Sequence, residues 1–309
     1  MLHRCNVIIL MSFILLGCVA NGSYKAESLQ HIKSKHADMV ESYKYGVKSE
    51  QSYSEVAKES IEEAGESVHE GMGDYYLLAI GIDRYKNLPN LRTASGDARS
   101  VASVLKEKYG FKVSVLLNPT RAEILKSIER YRKMLRPSSN LVIYFAGHGW
   151  LDQQAQQGYW LPSDAHIDSS VNWVAADTIT SSIRAMQAKH VLIISDSCYS
   201  GTLTRGIVIK SQEPDRIQKL AKKKARIVLS SGGIEPVVDS FAGSKNSVFC
   251  KALLDTLNIN NGVLEGVDLY SMVRKKVTTQ SEQIPEYGDI RNSGHDGGDF
   301  LFIPVSPPQ

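Results

Sequence analysis

Two stretches of this chain are apolar at nearly every position and then stop abruptly at small residues: 141–149, LVIYFAGHG, and 191–201, VLIISDSCYSG. An amphipathic helix or a half-exposed strand would break such runs with polar residues at a fixed period. A run without that period suits a strand buried on both faces, as strands are in a parallel sheet covered by helices. In open sheets of that kind, ligands bind beyond the carboxyl ends of the strands. His148 and Cys198 each follow directly on a run, so both are expected at that rim. An imidazole beside a thiol is what a cysteine nucleophile and its base require.

The remaining sequence alternates between the two periods. Residues 75–82 read as the first strand, and 94–109 as a helix with Val101, Val104 and Leu105 on its apolar face, stopped by Gly110. A strand is expected at 111–117. Thr120 then caps a helix running to about 135, with Glu123 at the capping-box position. The His-bearing strand is followed by a Gln-rich loop at 152–157, a short strand at 158–161 and a helix over 175–186 leading into the Cys-bearing strand. Beyond a basic segment, a strand at 225–230, helices at 248–257 and 269–280, and a last strand at 300–303 complete the pattern. Strands alternating with helices imply right-handed crossovers. The expected fold is α/β, a mostly parallel sheet flanked by helices on both faces. One domain is expected over 74–305, with 306–309 as a tail.

The N-terminus differs. His3 and Arg4 precede an apolar stretch from 7 to 16, broken only by Ser12. That is too short for a bilayer, which takes ~20 apolar residues, and has the length of a signal-peptide core. It ends in LLGC at 15–18, which resembles the bacterial lipobox, where the Cys is lipidated and becomes the mature N-terminus. The other reading is a cleaved signal peptide with an incidental Cys18. Val19 stands where an Asp would favour inner-membrane retention, so the outer membrane facing the periplasm is expected. Residues 19–73, rich in Ser, Lys and Glu with loose helical spacing of Val40, Tyr43, Val47, Val56, Ile61 and Val68, read as a helical stalk or a flexible tether.

Cys5 and Cys18 belong to the targeting segment, leaving Cys198 and Cys250. Two cysteines make at most one bridge, so no disulfide framework is expected even in an oxidising compartment. A hydrophobic content of 42%, a charged fraction of 22% and a net charge of +3 are ordinary for a globular protein, and the scattered cations argue for no nucleic-acid partner.

Together these residues resemble the caspase-like cysteine peptidases, among them the bacterial caspase-fold and metacaspase-like proteins. The match rests on YFAGHG at 144–149 and DSCYSG at 196–201, supported by the first strand and by LRTASGDA at 91–98. It covers residues 74–303, and the separation of His148 from Cys198 is that of caspases. The resemblance implies a caspase-like fold with Cys198 as nucleophile and His148 as general base and acid. It implies that the amides of Gly149 and Cys198 hold the oxyanion. Asp97 and Asp196 would line a pocket selecting Arg or Lys ahead of the cut bond, while Ser231 and Gly232 would belong to backbone that aligns an extended substrate. Caspases proper use arginines to select Asp, and Arg84 and Arg92 keep that preference open. The chain has Ala94 where metacaspases often carry Cys, and Ala146 where they often carry Ser.

Other readings stand beside this one. Asp97 could be a plain acid at a helix N-terminus. The alternative in another functional class is a non-catalytic binding or scaffold lipoprotein on the same fold. A different acyl-transfer hydrolase is disfavoured, because a Cys replaces the Gly-x-Ser-x-Gly elbow. Seven cations between 210 and 226 form either a solvated loop and helix face or a place where a basic-specific enzyme could cut itself. Asp164, His166 and Asp168 have the spacing of a chance loop cluster, and no cofactor or metal is expected. Calcium dependence occurs in some metacaspases, yet no loop here matches a calcium motif. His190 is expected at a cap or the surface. The expected partners are a protein or peptide substrate and, through the N-terminal lipid, a membrane.

Overall fold

The computed structural model describes residues 72–197, 204–206, 216–232 and 245–305. The expected signal segment with Cys18, the expected stalk up to 71, Cys198 and residues 306–309 lie outside these residues.

Strand β1 (Tyr75–Gly81) leads to helix α1 (Ala94–Tyr109), β2 (Lys112–Leu117), α2 (Arg121–Met134) and β3 (Asn140–Ala146). Three short strands follow, β4 (Gly149–Asp152), β5 (Gln157–Trp160) and β6 (Val174–Ala175), then α3 (Ala176–Arg184) and β7 (His190–Asp196). The chain continues through β8 (Thr204–Gly206), α4 (Arg216–Lys222), β9 (Ala225–Ser230), α5 (Val248–Ile259) and β10 (Leu264–Glu265). It ends in α6 (Gly266–Thr278), β11 (Glu286–Ile290) and β12 (Leu301–Phe302).

Among the described residues, seven strands form the central sheet in the order β2-β1-β3-β7-β9-β11-β8. The first five run parallel. β3 and β7 occupy the interior, and every residue of both is buried, which accounts for their unbroken apolar sequence. Successive side chains go to opposite faces. Leu77, Val142, Tyr144, Leu192 and Ile194 pack with α1, α5 and α6. Leu78, Ile143, Phe145, Val191 and Ile193 pack with α2 and α3.

The sequence places α1 and β9 to the residue. The α2 start is also as read: Thr120 Oγ1 accepts from the Glu123 N–H at 3.4 Å, and Glu123 returns a carboxylate to the Thr120 N–H at 2.7 Å. Gly110 ends α1 in a left-handed conformation, φ +69°.

The sheet is mostly parallel, as expected, with β11 running antiparallel to β9 and β8. The paired helices α5 and α6 lie between β9 and β11, and an even number of helices returns the chain to the end where β9 finished. The last strand, β12, is not in the central sheet but pairs with β10 in a two-stranded ribbon.

His190 is neither a cap nor at the surface. It opens β7, fully buried, with Nδ1 2.8 Å from Asn140 Oδ1 and Nε2 3.0 Å from the Lys223 carbonyl. Asn140 opens β3 and donates to the Met72 carbonyl at 2.6 Å. Arg226, the second residue of β9, is also fully buried, its guanidinium donating to the carbonyls of Met186, Ala188, Lys189 and Ala225 at 2.7–3.1 Å. These three polar residues close the amino ends of three adjacent strands.

Burial pulls the His190 pKa down to about 4, against carbonyl contacts that favour the charged ring. Below pH 6.5 the unfolded chain therefore binds a proton that the folded chain refuses until about pH 4. The stability held by the uncharged ring is complete above pH 6.5 and is lost as pH falls towards 4. Asp299, raised to about 6 by burial, has the opposite sign: its contribution fades as pH rises from 3.8 to 6. The two offset each other in the parent, so the His190 part is read as a difference. The parent's stability minus that of His190→Gln should grow by about 3 kcal/mol between pH 4 and 6.5 in denaturant titrations. A difference flat with pH would remove the account.

Candidate functional site

The carboxyl ends of β3 and β7 lie side by side. Ala146 pairs with Asp196, and the Gly147 N–H reaches the Asp196 carbonyl at 3.5 Å. Two residues beyond that rung the first chain carries His148 and the second carries Cys198.

His148 is half-buried and held at three points. Its N–H donates to Tyr85 Oη at 2.7 Å, and its ring packs on the Tyr85 ring with centroids 4.8 Å apart. Its Nε2 lies 2.9 Å from the carbonyl oxygen of Pro89. A carbonyl only accepts, so this contact assigns the proton to Nε2 and leaves Nδ1 as the basic nitrogen of the uncharged ring. The loop carrying Tyr85 and Pro89 is fixed in turn. Asn90 Oδ1 accepts from the Tyr85 N–H at 2.8 Å, and Asn118 Oδ1 accepts from the N–H groups of Asp83 and Arg84 at 3.0 and 2.9 Å. Gly147 permits the approach, because a Cβ there would lie 2.8 Å from Tyr85 Oη. Sequence reasoning missed Tyr85 and Pro89, whose only signal is an unremarkable loop after β1.

Burial holds the Tyr85 hydroxyl well above the usual phenol range, so it stays a neutral hydrogen-bonding group. Tyr85→Phe removes one bond of about 1 kcal/mol. Turnover should fall roughly fivefold with KM little changed, as read in steady-state kinetics. An unaltered turnover number would show that this bond does not hold the imidazole.

The two aspartates come together on the other side. Asp97, in the first turn of α1, is almost fully buried, and Asp196 at the end of β7 nearly so. Asp97 is more than a helix N-terminal acid. Its Oδ1 accepts from Asn246 Nδ2 at 2.7 Å and from the Ser247 N–H at 3.2 Å, across some 150 residues of chain. Asp196 Oδ2 accepts from Ser247 Oγ at 2.5 Å and from Tyr144 Oη at 3.4 Å. Burial raises the Asp97 carboxyl, opposed by the bonds from Asn246, Thr93, Cys250 and Ser247. Burial, with the negative charge of Asp97 and Asp196, pushes the Cys250 thiol far above its ordinary value. Cys250 is thus a buried, protonated thiol, inert as a nucleophile. Ser247 and Asn246 were not among the residues singled out from sequence.

Gly149 opens β4 directly after His148. Ser231 is fully buried; its N–H donates to the Ser195 carbonyl at 2.9 Å and its hydroxyl to the Ser197 carbonyl at 3.3 Å. It ties the end of β9 to the residue preceding Cys198. Gly232 is left-handed, φ +70°, with the Ile284 carbonyl 1.8 Å from where a Cβ would stand. Arg84 and Arg92 are exposed.

The remaining polar residues are engaged within the fold. Asp164 accepts from the Arg121 N–H at 2.9 Å, at the start of α2, while His166 pairs with Asp168 at 3.5 Å. Among the described residues no group of three or more His, Cys, Asp or Glu is set to hold a metal ion. The basic segment is not one solvated face: Arg216 pairs with Glu265 at 2.8 Å, and Arg226 is buried.

Comparison with known proteins follows the same region. A family model described as "Caspase domain" matches residues 76–291. Metacaspase-1B of Aspergillus fumigatus is 30% identical over 175 residues, half of this chain and 42% of that protein. Metacaspase-1 of Kluyveromyces lactis is 24% identical over 270 residues, 75% of this chain and 59% of the relative. The chain therefore spans less than two thirds of the length of either. Among solved structures, Caspase-1 from Spodoptera frugiperda overlaps 70% of this chain and 88% of its own at 18% identity, with a TM-score of 0.49. A protein from Geobacter sulfurreducens overlaps 73% and 98% at 19% identity, with the same score.

Proposed function

Because this chain belongs to the caspase-domain family, we propose that it is a cysteine endopeptidase that cuts after Arg or Lys through a Cys198–His148 dyad. The observation that carries the reading is the register of β3 on β7, Ala146 opposite Asp196, since in sequence His148 and Cys198 each stand two residues beyond that rung. The orientation of His148 by Pro89 and Tyr85 supports it, since a scaffold protein has no need of a fixed tautomer.

In this mechanism Nδ1 of His148 takes the Cys198 proton, and the thiolate attacks the peptide carbonyl carbon. The oxyanion so formed is received by the amides of Gly149 and Cys198. As the C–N bond breaks, the imidazolium returns its proton to the leaving amine. Water then loses a proton to His148, attacks the thioester and frees the acid. Ser231 and Gly232 border the groove in which the extended substrate lies. Asp97 and Asp196 take the cationic side chain ahead of the cut bond by charge-assisted hydrogen bonds.

The protein would be an exported lipoprotein anchored through Cys18, outer membrane rather than inner. No helix among the described residues is long and apolar enough to cross a membrane. Self-cleavage in the basic segment would fall at its cations other than the buried Arg226.

Fluorogenic peptides identical except for Arg, Lys or Asp before the cut bond test the reading. Hydrolysis of the Arg and Lys peptides, with Asp97→Asn slowing both by about thirtyfold or more, is expected. Preference for the Asp peptide would overturn the pocket assignment, and hydrolysis of none would return the scaffold alternative.

A further inference from the structure

Resting on that reading of the pocket, we propose that Ser247 is its positioning residue, the group that turns two separate carboxylates into one cation-selective well. Asp97 and Asp196 come from different elements, the first turn of α1 and the end of β7. The fold brings the two backbones near each other, yet two like charges in a buried place push apart. Ser247 stands between them, itself 1% exposed.

It has two donors and spends one on each acid. The hydroxyl donates to Asp196 Oδ2 at 2.5 Å, and the backbone N–H donates to Asp97 at 3.2 Å to Oδ1 and 3.4 Å to Oδ2. The hydroxyl oxygen also accepts from the Cys250 N–H at 2.9 Å as the cap of α5. The helix therefore holds Ser247, and Ser247 holds both carboxylates. The N-terminus of this 12-residue helix also favours negative charge at that point. Asn246 adds a second donor to Asp97 and reaches Ser100 Oγ at 3.3 Å, tying the same turn to α1. Loss of the Ser247 hydroxyl would leave Asp196 Oδ2 with the longer bond from Tyr144 Oη in place of the short one, loosening the carboxylate's position relative to Asp97. The cost would fall on recognition of the cation and not on the reacting sulfur.

The cap and the positioning role can be separated. Glycine is nearly as good a cap as serine, within a few tenths of a kcal/mol, and it keeps the N–H that serves Asp97. It lacks only the hydroxyl. In the full-length protein, Ser247→Gly should raise KM for the Arg peptide by about tenfold or more, the effect of one lost bond to a charged group. Discrimination between the Arg peptide and its uncharged citrulline counterpart should fall by the same factor. The turnover number and the rate at which iodoacetamide alkylates Cys198 should stay near the parent values. Ser247→Thr, which keeps hydroxyl, cap and N–H, should restore KM.

An unchanged KM in Ser247→Gly overturns the proposal. So does a loss of turnover and alkylation at unchanged KM, which would mark the residue as a support of the catalytic dyad. A parent that cuts Arg and citrulline peptides equally well overturns the underlying reading and this inference with it.

Discussion

Cys198→Ala should lower kcat/KM on an Arg peptide by at least about a thousandfold, and His148→Ala by about a hundred- to ten-thousandfold. The two effects should not add, because each variant removes the same proton-transfer unit. Far-ultraviolet circular dichroism and the unfolding midpoint should match the parent. The expectation follows from the chemistry of the two cysteines in the domain. Cys250 is buried against two acids that keep its thiol protonated, whereas Cys198 follows Ser197 at the end of a strand paired in register with the one leading to His148. A Cys198→Ala protein that cuts at the parental rate would end the proteolysis reading.

The second large effect is on stability. Arg226→Met keeps much of the side-chain volume but leaves the carbonyls of Met186 and Ala188 without the guanidinium that serves them at 3.1 and 2.7 Å. Burial already draws the Arg226 pKa down to about 10, a measure of how poorly the site is hydrated. The loss of charge-assisted bonds there should cost about 3–4 kcal/mol. For a domain of this size the thermal midpoint should drop by about 10 °C. Arg226→Lys should recover only part of it, since one ammonium cannot span four carbonyls. Calorimetry on the three proteins decides the matter, and an unchanged midpoint for Arg226→Met would show that water serves those carbonyls instead.

What could be read from sequence was whatever leaves a local mark. Unbroken apolar runs gave β3 and β7, and the Thr120–Glu123 pair marked the start of α2. His148 stood out because it ends such a run. The antiparallel strand β11 did not, because EYGDI is five residues of mixed polarity and its direction depends on how the α5–α6 pair returns the chain. Tyr85, Pro89 and Ser247 escaped for a related reason. Tyr85 and Pro89 touch His148 across 63 and 59 residues, and Ser247 touches Asp97 across 150. No spacing rule covers contacts that exist only once the sheet has formed. His190 was misjudged because a polar residue ahead of an apolar run looks like a boundary, while here it plugs the bottom of the sheet.

The two strands leading to His148 and Cys198 are the third and fourth of seven, so neither has a free margin from which it could fray. To detach either one, the molecule must split along its middle, and the least costly such opening is complete unfolding. Amide protons at Val142, Tyr144, Leu192 and Ile194 therefore belong to the slowest-exchanging class. The lifetime of the folded domain is then set by the rate of global opening, and proteases that clip its surface loops need not unfold it.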